Sequence, residues 1–176
     1  MTETTPYDAD RARFTRQALA RLVLCDNAVH IADGAAGLVA TENDPDTGPG
    51  GRVSQAFQLI ELAERALASA VIYERELGSS WAEIAQHLGI GPAETEERLG
   101  VNLDNCNTAF EVPYRLDDSG RKRIPQLPTA AYDPAWACDQ LDTWAGNRLI
   151  PVNDKRPVSS GLAMAVPQKE LPSVTP

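Results

Sequence analysis

The sequence predicts an all-α fold: long helices, then a helix-turn-helix module, then a short C-terminal helix. Three observations predict it. Aromatic residues make up only 6% of the 176 residues while apolar residues reach 43%. The core must therefore be aliphatic and alanine-rich, whereas a sandwich or barrel would want more β-branched and aromatic side chains. Apolar positions recur at three- and four-residue steps over long stretches, the period of a helix with a buried face. Glycine and proline then fall where those stretches stop.

Residues 8–42 read as one long helix. Asp8 or Asp10 can cap its start, and Phe14, Ala18, Leu22, Cys25, Val29 and Ala32 line one face. Gly34 and Gly37 allow a kink or break. Residues 43–51 are a loop, by the density of breakers. Residues 52–77 form the clearest helix. Val53, Phe57, Ile60, Leu67 and Val71 make one apolar stripe; Leu59, Leu62, Ala66, Tyr73 and Leu77 make another. Two stripes mean two contact faces, one for the first helix and one for the helices after Gly78 or for a second chain. Gly78 fits the helix C-terminus.

Two short helical patterns come next, near 80–88 and 92–99, with Gly100 ending the second. An apolar-punctuated stretch continues to Phe110. Pro113, Gly120, Pro125 and Pro128 make residues 112–130 an ordered loop or arm. A helix is expected at 134–149, with Pro134 in its first turn and Trp136, Leu141, Trp144 and Leu149 facing inward. From Pro151 onward large apolar residues are scarce, and the tail reads as disordered. The organisation is thus an N-terminal helix and loop (1–50), a helical domain (51–112), a basic arm with the C-terminal helix (113–150), and a tail (151–176).

Composition narrows the function. A formal net charge of −9 argues against coating nucleic acid by bulk charge, because that binding scales with phosphates neutralised. Cys25, Cys106 and Cys138 are an odd set with no C-x-x-C spacing, and His30 and His87 have no metal-type neighbours. No metal and no cofactor is expected. No apolar run approaches the ~20 residues of a membrane span, and the polar start of the chain lacks the pattern of a signal peptide. A cytoplasmic protein without a membrane partner is expected. No nucleophile elbow, P-loop, dinucleotide fingerprint or H-E-x-x-H occurs, so an enzyme has no positive support.

Ser80-Trp81-Ala82-Glu83-Ile84-Ala85-Gln86-His87-Leu88-Gly89-Ile90 is the most specific stretch. Ser80 and Glu83 have capping-box spacing. Trp81, Ile84, Ala85 and Leu88 share a face, Gly89 can supply a positive φ, and Ile90 and Leu99 return to the core. Two helices joined by a short glycine-containing turn are a helix-turn-helix. The stretch resembles the helix-turn-helix of small actinobacterial DNA-binding proteins and of sigma factor region 4. Gly78-Ser79-Ser80-Trp81, Glu83-Ile84, Leu88-Gly89-Ile90 and Glu97-Arg98-Leu99-Gly100 carry the resemblance, which spans about residues 60–100. Those relatives open the recognition helix with Ser-Arg-Gln-Ala-Ala. This chain has Gly91-Pro92-Ala93-Glu94-Thr95-Glu96-Glu97 instead, without the capping Ser or the reading Arg.

The resemblance implies a DNA-binding transcriptional regulator or accessory factor, a homodimer through helices 8–42 and 52–77. Its DNA contacts would be Pro92, Ala93, Thr95 and Arg98 on the recognition helix. Outside the resemblance, Arg121-Lys122-Arg123 is the one basic cluster, and its functional reading is an arm that grips phosphates or a minor groove. The second reading is an adaptor that keeps the scaffold but offers an acidic face to a basic protein. Residues 78–112 hold six acids and one Arg, which favours it.

Overall fold

The computed structural model describes residues 5–41, 44, 47–148 and 155–165. Those residues form α1 (Pro6–Arg11), α2 (Arg16–Val39), α3 (Gly51–Leu77), α4 (Trp81–Leu88) and α5 (Pro92–Glu111). Then come β1 (Tyr114–Leu116), β2 (Arg123–Pro125), α6 (Thr129–Tyr132), α7 (Pro134–Arg148) and a 3-10 turn at Ser159–Gly161. The fold class is all-α, with one two-stranded hairpin among the described residues.

The single helix expected over 8–42 is two. Thr5 caps α1: its backbone N–H donates to Asp8 Oδ2 at 2.9 Å, and the Asp8 N–H donates back to Thr5 Oγ1 at 3.4 Å. Asp8 is therefore the third residue of a capping box, not the cap itself. Thr15 caps α2, accepting from the Ala18 N–H at 3.1 Å. Two threonine caps ten residues apart outweigh a continuous apolar period, because each satisfies N–H groups that a helix start leaves orphaned.

α2 and α3 run antiparallel. Arg16 pairs with Glu76, Asn27 donates to Ser69 at 2.8 Å, and Gly34 meets Leu59. Gly34 does not break α2. A Cβ there would stand 2.8 Å from Leu59 Cδ2, so the glycine lets the helices approach. α2 has the length and apolarity of a membrane span, with mean hydropathy 1.3 over its most apolar window. Its Ala18, Leu19, Ala20 and Leu22 are buried in this chain's own core.

That main core joins Leu19 and Leu22 to Leu127, Ala130, Ala131, Tyr132, Ala137 and Leu141. The first and last thirds of the chain thus share one interior. A second, smaller core consists of Val71, Ile84 and Leu99, with Trp81 and Leu88 packed on it.

Four further expectations are corrected. α5 does not stop at Gly100 but runs to Glu111. A mid-helix glycine costs only about 1 kcal/mol, and the half-buried Asn102, Cys106, Ala109 and Phe110 beyond it keep the helix against the body. The arm at 112–130 contains the β-hairpin, with Arg115 opposite Ile124, and then α6. α7 docks through Ala137, Leu141 and Ala145, whereas Trp136 is 48% exposed. Trp144 is half-buried and donates to Asp33 at 3.1 Å; Leu149 lies outside the described residues.

The tail expected to be disordered includes an ordered strap at 155–165. Asp142 accepts from the Val158 N–H at 2.7 Å, the Ser159 N–H at 3.0 Å and the Ser159 hydroxyl at 2.5 Å. The Thr15 N–H donates to the Ala163 carbonyl at 3.3 Å, and the Ala165 N–H donates to the Arg13 carbonyl at 2.8 Å. The break between α1 and α2 frees these backbone groups, and the strap satisfies them. Residues 151–154 and 166–176, the rest of the expected tail, lie outside the described residues.

Candidate functional site

α4, a three-residue turn and α5 pack on the C-terminal half of α3. Each junction is locally encoded. Gly78 ends α3 at φ +95°, with its N–H on the Arg75 carbonyl and the Ser79 N–H on the Glu74 carbonyl. Ser80 caps α4, donating from its backbone N–H to Glu83 Oε2 at 2.7 Å and accepting from the Glu83 N–H at 3.2 Å. These bonds hold the Glu83 carboxyl below the usual range, the backbone N–H of Ser80 contributing most. Gly89 turns the chain at φ +68°, a conformation that glycine takes without Cβ strain. Of the residues expected to form the scaffold, Ile84, Ala85 and Leu99 are buried, Trp81 and Leu88 are half-buried against the Val71–Ile84–Leu99 core, and Ile90 is half-buried outside that cluster. The Arg75 guanidinium covers the Trp81 ring at 4.9 Å.

The expected DNA contacts fare differently. Pro92 and Ala93 are exposed at the start of α5. Thr95 is corrected: it is fully buried, and its hydroxyl donates to the Gly91 carbonyl at 2.9 Å. It stands four residues before Leu99, on the face that meets the core, so it cannot reach a ligand. Opposite that face, Ala93, Glu97, Val101 and Asp104 form the outward stripe of α5, flanked by Glu94 and Glu96. Arg98 is exposed but lines the groove between α3 and α5 beside Glu61 and Glu64.

The arm divides as well. Arg123 is corrected from a free contact to a structural residue. Its guanidinium lies 3.0 Å from Asp8 Oδ2, donates to Thr5 Oγ1 at 3.2 Å, and stacks over the Tyr114 ring at 4.0 Å. Arg115, Arg121 and Lys122 are exposed on the hairpin. Asp117 shapes its turn, accepting from the Arg121 and Lys122 N–H groups at 3.0 and 3.1 Å. α5 is 20 residues, about 30 Å, so its N-terminus and the hairpin at its far end are separate places.

Sequence reasoning missed the Asp8–Arg11–Arg123 cluster, in which Arg123 is over 110 residues from its partner in sequence. It also missed a cleft between α2, α3, α5 and the segment before α6. No local pattern announces either, because each is assembled by the tertiary fold.

Burial pushes all three thiols up, Cys138 to about 11 with Asp142 adding to the effect, so none is primed as a thiolate. Among the described residues no group of three His, Cys, Asp or Glu is placed to hold a metal ion. No family model, curated protein or solved structure matches this chain.

Proposed function

We propose that this chain is a regulatory adaptor on a helix-turn-helix scaffold, which docks the acidic outward face of α5 on a basic surface of a partner protein. One observation carries the reading: where a recognition helix would meet DNA, the outward stripe of α5 and its flanks present Glu94, Glu96, Glu97 and Asp104, and the helix's one cation, Arg98, is set at the groove toward α3. DNA affinity comes largely from cations that displace counterions. Four carboxylates within about 10 Å of phosphates oppose it at ordinary salt. The same face suits a cationic protein surface, and Glu94 also suits the positive end of the helix dipole.

A DNA-binding regulator is the second reading, favoured by the scaffold and by Arg115, Arg121 and Lys122 exposed together on the hairpin. Fluorescence anisotropy separates the two, using a labelled arginine-rich peptide and a labelled random DNA duplex over 50–200 mM salt. The adaptor predicts salt-sensitive peptide binding that weakens at least about 10-fold in E94Q/E97Q/D104N, the loss of three exposed charge contacts worth about 0.5 kcal/mol each. It predicts no binding to the duplex at the lowest salt. Peptide binding unchanged by the triple substitution overturns it. Duplex binding whose salt slope falls by about one in R121A establishes the DNA reading instead.

Pairing of two copies belongs to the same proposal. Val53, Phe57 and Ile60 on α3 are 74%, 59% and 56% exposed, on the stripe whose other end, Val71, is buried under α4 and α5. The start of α2 is taken up by the main core, so pairing is confined to the exposed half of α3 and the neighbouring end of α2. Sedimentation at micromolar concentrations is expected to give a dimer mass. F57K is expected to give a monomer with unchanged helicity, since Phe57 lies outside both buried cores of its own chain. A wild-type monomer at about 100 μM, where even a weak pair would form, removes the dimer.

A further inference from the structure

The cleft between α2, α3, α5 and the segment before α6 has a volume of about 410 Å3. Small-molecule sites run from about 300 to 1,000 Å3, apolar with a few placed polar groups. This one has a floor of Ala20, Leu127 and Ala131, all buried, and walls that include the half-buried Ile72 and Phe110.

Its polar lining is specific in kind. It has one anion, Asp26 on α2, and one cation, Arg65 on α3. The two flank a single crossing of the helices. Asn27, next to Asp26, donates to Ser69 at 2.8 Å, and the Ser69 hydroxyl donates to the Arg65 carbonyl at 2.9 Å. Neither charge is firmly paired. Asp26 has His30 Nδ1 at 3.9 Å, and the Arg65 guanidinium has no partner among the described residues. From α5, the half-buried Asn102 and the exposed Asn105 line the same cleft, and their amides also lack partners among the described residues.

We propose that this cleft binds a small zwitterion with an apolar side chain, an amino acid of the leucine or phenylalanine type. The charge pattern selects the class. A simple carboxylate would face Asp26, and a simple amine would face Arg65. A neutral molecule would leave both unanswered. A zwitterion places its carboxylate on Arg65 and its ammonium on Asp26, with the Asn102 amide free to bond either end. Its side chain then covers the apolar floor, which is where burial adds affinity. The occupant would tie α5 to α2 and α3, though the site stands without the docking face proposed for α5.

Calorimetric titration of the full chain with L-leucine and L-phenylalanine tests this. N-acetyl-leucine, which lacks the cation, and leucinamide, which lacks the anion, serve as controls. At least one amino acid is expected to bind. Each control, and each of R65Q and D26N, should bind at least about 10-fold more weakly, the size of one charged hydrogen bond. A109W, which fills the cleft, should abolish binding. Circular dichroism confirms that the variants fold. No heat from either amino acid at about 10 mM, a concentration at which a Kd of 1 mM would saturate the site, overturns the proposal. So does wild-type affinity in both R65Q and D26N.

Discussion

Replacing Leu22 by alanine is expected to cost about 2–5 kcal/mol, toward the upper end of that range. Leu22 has no exposed surface and is among the largest fully buried side chains. Its neighbours in the main core include Ala130, Ala131 and Ala137, small groups on short or capped helices. They cannot swing into the space that the lost isobutyl group leaves, and an uncollapsed cavity is what makes such substitutions expensive. Because α2 contributes to the same core as α6 and α7, the loss should reach both ends of the chain. Amide hydrogen exchange checks this: L22A should lose protection across α2, α6 and α7 together. I84A, in the separate Val71–Ile84–Leu99 cluster, should lose it mainly in α4 and α5. Uniform loss in both variants would mean that the two cores melt as one.

The elements that were legible in the sequence are those whose cause is local. α3, its end at Gly78, the Ser80 cap and the Gly89 turn all depend on residues within four positions of each other. The inward face of α5 was also legible in principle. Thr95 is one turn before Leu99, and the helical period alone places it in the core. The resemblance to a DNA-reading helix drew it outward instead. The break at Thr15 carried a signal too, a threonine three residues before Ala18, but the apolar period running across it was the stronger pattern. Other features had no local cause. The strands are three residues each, too short for an alternating pattern to register. The strap at 155–165 is held by Asp142 and by backbone groups of Arg13 and Thr15, which composition does not foretell. Arg123 looked like one of three equivalent cations. Only the fold brings Asp8 to it.

That pairing leads to the second large effect, an acid sensitivity centred on Asp8. Its carboxyl is held down to about 2, chiefly by the Thr5 hydroxyl and backbone N–H, helped by Arg123 and Arg11 and opposed by partial burial. Both guanidiniums depend on it. Arg11 is buried, sits over the Tyr132 ring at 4.7 Å and donates to the Tyr132 carbonyl at 2.9 Å. Its charge is answered by Asp8 alone among the acids of the described residues. A carboxyl whose folded pKa is depressed contributes stability that is complete above its unfolded value near 4. That contribution is lost as pH falls toward the folded value of about 2. Thermal unfolding between pH 5 and pH 2 should therefore show a steep fall for the wild type and a shallower one for D8N. At pH 7, D8N leaves a buried cation without its anion, a loss of about 3–5 kcal/mol for a buried pair and nearer 3 here because the carboxylate is partly exposed. The asparagine oxygen can still accept from the Thr5 N–H, so the α1 cap survives and the loss reports the charges. An R123A variant should be milder, since it keeps Arg11 paired with Asp8 while removing the tie between α1 and the hairpin. If D8N kept the full acid sensitivity of the wild type, the titrating group would lie elsewhere.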